Sequence, residues 1–161
     1  MVAQAQCERW HRDTRRARLN ALVWVYAGRI RESEGINVDT SKVVLVVDDD
    51  ALVLESIDIH LSAVGGFRTI LALGSASANA TLDQSRIDVI IADVILTGSI
   101  TGLDLCHKAI TQYPGVAVVV ITADTEVQCA EIPERGVFLR KPFGGEQLVE
   151  AIEAALRTVE K

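Results

Sequence analysis

Val43-Val44-Leu45-Val46-Val47 is an unbroken aliphatic run that ends on three aspartates, Asp48-Asp49-Asp50. A second run, Val89-Ile90-Ile91-Ala92, ends on Asp93, and Val118-Val119-Val120-Ile121 ends on Thr122. Short Val/Ile-rich runs without polar alternation read as strands buried on both faces, as in a parallel sheet covered by helices. All fall far below the roughly 18 apolar residues of a membrane span. In open parallel sheets, ligands bind just beyond the carboxyl ends of the strands. The chain therefore aims several carboxylates at one edge. Two unit charges about 4 Å apart repel by roughly 4 kcal/mol at an effective dielectric of 20. Such a cluster calls for a cation or raised pKa values. A hard divalent ion held by oxygen ligands answers that need, and Mg²⁺ is the expected one.

Between the runs lie helical patterns. Strands are expected over residues 43–47, 68–71, 87–92, 116–121 and 136–139. Helices are expected over 50–64, 75–82, 103–112, 125–132 and 146–159. The first helix is expected to bury Leu52, Ile57, Leu61 and Val64 and to stop at Gly65-Gly66. The last is expected to bury Leu148, Val149, Ile152, Ala155 and Leu156. Five strands alternating with five helices imply an α/β fold with right-handed crossovers. In the flavodoxin-like doubly wound order 2-1-3-4-5, the first and third strands are central neighbours, which brings Asp48, Asp49 and Asp93 together.

Charge divides the 161 residues unevenly. Residues 1–41 carry seven arginines against five acids, whereas the remainder carries a net −8 within the overall −6. A boundary near Ser41-Lys42 follows, with an Arg-rich extension over 1–41 and one domain over 42–161. The acidic balance argues against general nucleic-acid binding. Three scattered cysteines (Cys7, Cys106, Cys129) make neither a disulfide framework nor a zinc site, so a reducing, cytoplasmic location is expected. His11, His60 and His107 lack metal-ligand spacing. Leu19, Leu22, Val23, Tyr26 and Ile30 form a stripe at helical spacing in the extension. It reads as a solvated or loosely docked helix, with dimerisation, partner binding and membrane-surface contact as alternatives. Glu8 and Asp13 in its basic region argue against a signal peptide. Met1 is the only methionine, so a natural start nearer Val38 stays open.

Thr122 and Lys141, in Phe138-Leu139-Arg140-Lys141-Pro142-Phe143, fall at the same edge as the aspartates. A carboxylate, a hydroxyl and an ammonium around an acidic metal site suit phosphoryl transfer. The carboxylate is the nucleophile, the metal offsets charge on phosphoryl oxygens, and lysine and threonine donate to them. Asp50 alone reads equally well as a helix N-cap.

Four segments together resemble the receiver domain of two-component response regulators. They are Val46-Val47-Asp48-Asp49-Asp50, Ile91-Ala92-Asp93-Val94-Ile95-Leu96, Val120-Ile121-Thr122-Ala123 and Leu139-Arg140-Lys141-Pro142-Phe143. The resemblance covers residues 42–159. It implies that Asp93 is the phosphoacceptor, and that Asp48, Asp49, Asp93 and the backbone carbonyl of Ile95 hold Mg²⁺. Thr122 and Lys141 match the pair that senses the phosphoryl group, Phe138 the aromatic switch, and Lys141-Pro142 a bond usually cis in the family. The donor would be a sensor histidine kinase or a histidine phosphotransfer protein. Output would pass to a downstream protein through the fourth helix, fifth strand and fifth helix, with a homodimer left open. No domain is expected after Val159, and neither nucleic acid nor membrane is expected as a partner. Turnover of an external substrate is not expected, only Mg²⁺-dependent self-phosphorylation and slow self-dephosphorylation.

The chain departs from the family pattern in three places. Thr97 stands where proline is usual, and the loop through Gly98-Ser99-Ile100-Thr101-Gly102 is one residue longer than the common form. The interval from Thr122 to Lys141 is short, with the loss around 126–135, which bears on partner recognition. Ile95 and Asp124 occupy the positions that tune phosphoryl lifetime, and apolar Ile95 cannot orient an attacking water. Two alternatives remain: a haloacid-dehalogenase-type phosphatase with Asp48 as nucleophile, and a phosphate-independent scaffold. The first lacks an acidic pair on a further strand after Lys141. The intact Asp48, Asp49, Asp93, Thr122 and Lys141 set argues against the second.

Overall fold

The three aliphatic runs at 43–47, 89–92 and 118–121 become strands in the computed structural model, which describes residues 41–123 and 132–160. The elements are β1 (Lys42–Asp48), α1 (Ala51–Val64), β2 (Phe67–Leu73), α2 (Gly74–Gln84), β3 (Val89–Asp93), α3 (Gly102–Gln112), β4 (Ala117–Thr122), β5 (Gly136–Arg140) and α4 (Gly145–Val159). The N-terminal stripe and the helix expected over 125–132 lie outside the described residues, apart from buried Ile132. Among the described residues, no helix is long and apolar enough to cross a membrane.

The sheet order is β2-β1-β3-β4-β5, the expected flavodoxin-like order, and all four pairings are parallel. Alternation along each central strand makes two cores. Leu45 and Val47, Ile90 and Ala92, and Val118 and Val120 face one layer, with Leu82, Leu105 and Ala109 from α2 and α3. Val44 and Val46, Val89 and Ile91, and Ala117, Val119 and Ile121 face the other, with Ile57 and Leu61 of α1 and Leu148 and Ile152 of α4.

Local chemistry sets the helix ends. Asp50 caps α1, its carboxylate accepting from the Leu52 N–H at 2.8 Å. Gly65, at φ 77°, closes the same helix. Thr101 and Asp104 form a reciprocal capping box at the start of α3. The buried stripe of α1 is Leu54, Ile57 and Leu61, which corrects the expectation of Leu52 and Val64. Leu52 sits two residues, about 200°, from the sheet-facing Leu54 and is 73% exposed. Val64 ends the helix and is exposed as well. Strand β2 is longer than expected because seven of its residues pair with β1.

Cys106 of α3 is fully buried, and burial pushes its thiol up to about 12. Thiolate at pH 8 is therefore scarcer by about a thousandfold than for an ordinary cysteine. Peptide-resolved thiol labelling should leave Cys106 unmodified in the folded protein and modify it in denaturant. Labelling at equal rates in both would show that the α3 face is not packed as described.

Candidate functional site

Val47 and Ala92 are register partners on β1 and β3, and the next residue on each strand is an aspartate. Asp48 and Asp93 thus leave the sheet side by side at its carboxyl edge. Lys141, directly after β5, sends its ammonium to both: Nζ lies 2.6 Å from Asp48 Oδ2 and 2.6 Å from Asp93 Oδ2. Each carboxylate uses its other oxygen locally. Asp48 Oδ1 accepts from the Asp50 N–H at 2.8 Å, and Asp93 Oδ1 from the Ile95 N–H at 3.1 Å. Asp48 is only 2% exposed, so the lysine supplies the charge partner that a buried carboxylate requires. Burial alone pulls the Lys141 pKa down, but the hydrogen bonds and charges of Asp48 and Asp93 outweigh it, so the net shift is upward.

Thr122 closes β4 one residue beyond Ile121, the register partner of Asp93, and is fully buried. Its carbonyl accepts from the Lys141 N–H at 2.9 Å, which ties the lysine backbone to the end of β4. Phe138 pairs with Val120 and lies in the same core layer, 9% exposed. The Arg140 guanidinium stands 5.8 Å from its ring centroid. The Lys141-Pro142 bond is cis. Asp124 lies outside the described residues, as does Cys129.

Asp49 behaves differently from Asp48. Its Oδ2 accepts from the Thr97 N–H at 2.5 Å, in the loop that follows β3. The structure therefore brings Asp48, Asp93 and Lys141 together and directs Asp49 to the neighbouring loop. Among the described residues, no three His, Cys, Asp or Glu side chains converge as a metal group in this arrangement. The donor chemistry still suits Mg²⁺: hard carboxylate oxygens of Asp48, Asp49 and Asp93 rise from adjacent strand ends, with the Ile95 carbonyl on the segment after Asp93.

Three contributors escaped the sequence reading: the Thr97 amide, the Arg140 guanidinium and Gly102. A Cβ added at Gly102 would lie 1.8 Å from the Asp93 carbonyl oxygen, and the Gly102 N–H donates to the Val94 carbonyl at 3.2 Å. The first turn of α3 thus rests on the backbone of Asp93, and only glycine permits that approach. Its sequence signal is the Thr101-to-Asp104 capping spacing, which places the helix start one residue before 103. Gly102→Ala should lower stability by about 3 kcal/mol, at the upper end of overpacking costs, because backbone on both sides must move. Urea unfolding checks this. A loss below about 0.5 kcal/mol would mean that the close approach is not kept in solution.

A carboxylate flanked by a lysine ammonium, a buried threonine and further acidic oxygens can attack phosphorus and retain the transferred group.

The family model for the response regulator receiver domain matches residues 44–153. The chain is similar to the probable transcriptional regulatory protein TcrX of Mycobacterium tuberculosis, 36% identical over 117 residues, covering 71% of this chain and 49% of that protein. It is also similar to the DNA-binding response regulator MtrA of Mycobacterium leprae, 32% identical over 117 residues, with 71% and 51% covered. The chain spans about half the length of these curated relatives. Among solved structures, NtrX from Brucella abortus aligns at TM-score 0.66 and 29% identity, covering 74% of this chain and 28% of that one. A receiver protein from Sinorhizobium medicae shares the fold at TM-score 0.67 and 24% identity, covering 73% of this chain and 95% of that one. This chain belongs to the response regulator receiver domain family of two-component signalling.

Proposed function

We propose that Asp93 is the phosphoacceptor of a cytoplasmic phosphorelay receiver that signals by protein–protein contact. The observation that carries this reading is the single Lys141 ammonium bonded to both Asp48 and Asp93. It puts a cation against the acceptor carboxylate, where phosphoryl oxygens would come to lie. The donor is a sensor histidine kinase or histidine phosphotransfer protein. An Asp93 carboxylate oxygen attacks phosphorus, the phosphorus–nitrogen bond of the phosphohistidine breaks, and the imidazole nitrogen keeps the electron pair. Asp48, Asp49, Asp93 and the Ile95 carbonyl would hold Mg²⁺. When bound, Mg²⁺ offsets negative charge on the phosphoryl oxygens.

After transfer, the added charge beside Lys141 and Thr122 biases the loop after β4 and the Phe138 ring. That signal would reach a partner protein through the segment over 125–132, β5 and α4. The Ile95 side chain is 60% exposed and offers an attacking water no hydrogen bond, which favours a long-lived aspartyl-phosphate. A half-life of seconds would count against that part.

The test is treatment of the wild-type protein with a small acyl phosphate, followed by intact mass and peptide mapping. One added phosphoryl group, mapped to Asp93, is expected when Mg²⁺ is present during the treatment, and none when it is absent. Steady turnover of a phosphate ester with modification at Asp48 would instead favour a phosphatase. No added mass under any condition would favour a phosphate-independent scaffold.

A further inference from the structure

Resting on the Mg²⁺-dependent reading above, we propose that the loop after β3 is a latch that competes with the divalent cation for Asp49. Both oxygens of Asp49 are turned towards this side of the site. Oδ2 accepts from the Thr97 N–H, and Oδ1 lies 3.2 Å from the position a Cβ at Gly74 would take. Gly74, at φ 79°, opens α2 and leaves room for the carboxylate. The loop is anchored from the other side as well. Ser75, also in α2 and largely buried, donates its hydroxyl to the Thr97 carbonyl at 3.5 Å. Gly98, at φ 120°, passes the same hydroxyl so closely that a Cβ there would sit 3.3 Å from it. The peptide units around Thr97 are thus held by Asp49 through the N–H and by Ser75 through the carbonyl.

Asp48 and Asp93 share Lys141, so the two strand-end carboxylates and Asp49 are each engaged by a protein donor. In the present arrangement Asp48, Asp49 and Asp93 do not converge as a metal group, so gathering Asp49 with the other two moves its carboxylate relative to the Thr97 amide that now holds it. Metal binding and loop release are then linked, and the linkage is reciprocal. A loop released from Asp49 favours the cation, and the bound cation frees the loop that leads into α3. The divalent ion therefore acts on the loop conformation before any phosphoryl group arrives.

Two independent measurements test this. In the wild-type protein, backbone NMR during Mg²⁺ titration should show the Thr97 amide losing its hydrogen-bond shift and exchanging faster with solvent, in step with saturation. Isothermal titration should show Thr97→Pro, which lacks the N–H, binding Mg²⁺ about tenfold more tightly, equivalent to about 1.4 kcal/mol. Ser75→Ala, which removes only the second anchor, should tighten binding by about twofold and leaves the fold intact if the proline variant does not fold. A Thr97 amide still protected at saturating Mg²⁺ would overturn the latch. So would variants that bind Mg²⁺ more weakly, because the loop would then be supporting Asp49 as a ligand. Absence of Mg²⁺ binding in the wild type would instead remove the metal-dependent reading on which the latch rests.

Discussion

Asp93→Asn is expected to accept no phosphoryl group from a small acyl phosphate under conditions where the wild type gains one. The substitution keeps the shape of the side chain. Its amide oxygen can still accept from the Ile95 N–H, and Lys141 keeps Asp48 as a partner. What disappears is the anionic oxygen that attacks phosphorus. The fold should persist with a loss of about 2 kcal/mol, because the amide nitrogen cannot accept from Lys141 and one charge-assisted hydrogen bond is lost, while Lys141 stays paired with Asp48 so that no charge is left buried alone. Intact mass checks the first statement and urea unfolding the second. Phosphoryl incorporation by a folded Asp93→Asn protein would assign the chemistry to another residue, with Asp48 the first to examine.

Lys141→Met should lower stability by about 2–3 kcal/mol near pH 7. Removing one partner of a buried ion pair costs about 3–5 kcal/mol, and the partial exposure of Lys141 and Asp93 lowers that figure. The lysine serves two carboxylates at 2.6 Å, so its removal leaves like charges facing each other across the β1–β3 edge. The pH dependence has a definite sign. The folded-state pKa of Lys141 is raised, so the ammonium binds its proton more tightly in the folded chain than in the unfolded one. Its stabilisation is full below the ordinary lysine value of 10.5 and is lost as pH rises through the higher folded value. Wild type and Lys141→Met should therefore differ most at neutral pH and converge in strongly alkaline solution. A constant difference up to alkaline unfolding would mean that Lys141 stabilises through the packing of its stem and not through its charge.

The strands were legible because their periodicity is extreme. Val43 to Val47, Val89 to Ala92 and Val118 to Ile121 offer no polar face, and a chain with three such runs separated by helical patterns has few ways to bury them. Asp48, Asp93, Thr122 and Lys141 were legible for the same reason: each stands at or just past the last residue of an apolar run, and parallel strands put all such ends on one edge. The phase of α1 was less legible. Leu52 and Leu54 are equally apolar, and only contact with the sheet selects Leu54.

Sequence alone therefore determined the α/β class and the residues gathered at the carboxyl edge, because these follow from which residues cannot stay in water, while the strand order 2-1-3-4-5 was expected only for a flavodoxin-like fold. Tertiary structure decided how those residues are shared. It gave Lys141 to both Asp48 and Asp93, turned Asp49 to the Thr97 amide and set Gly102 against the Asp93 carbonyl. Those choices depend on distances of a few tenths of an ångström between segments far apart in the chain, and no local periodicity encodes them.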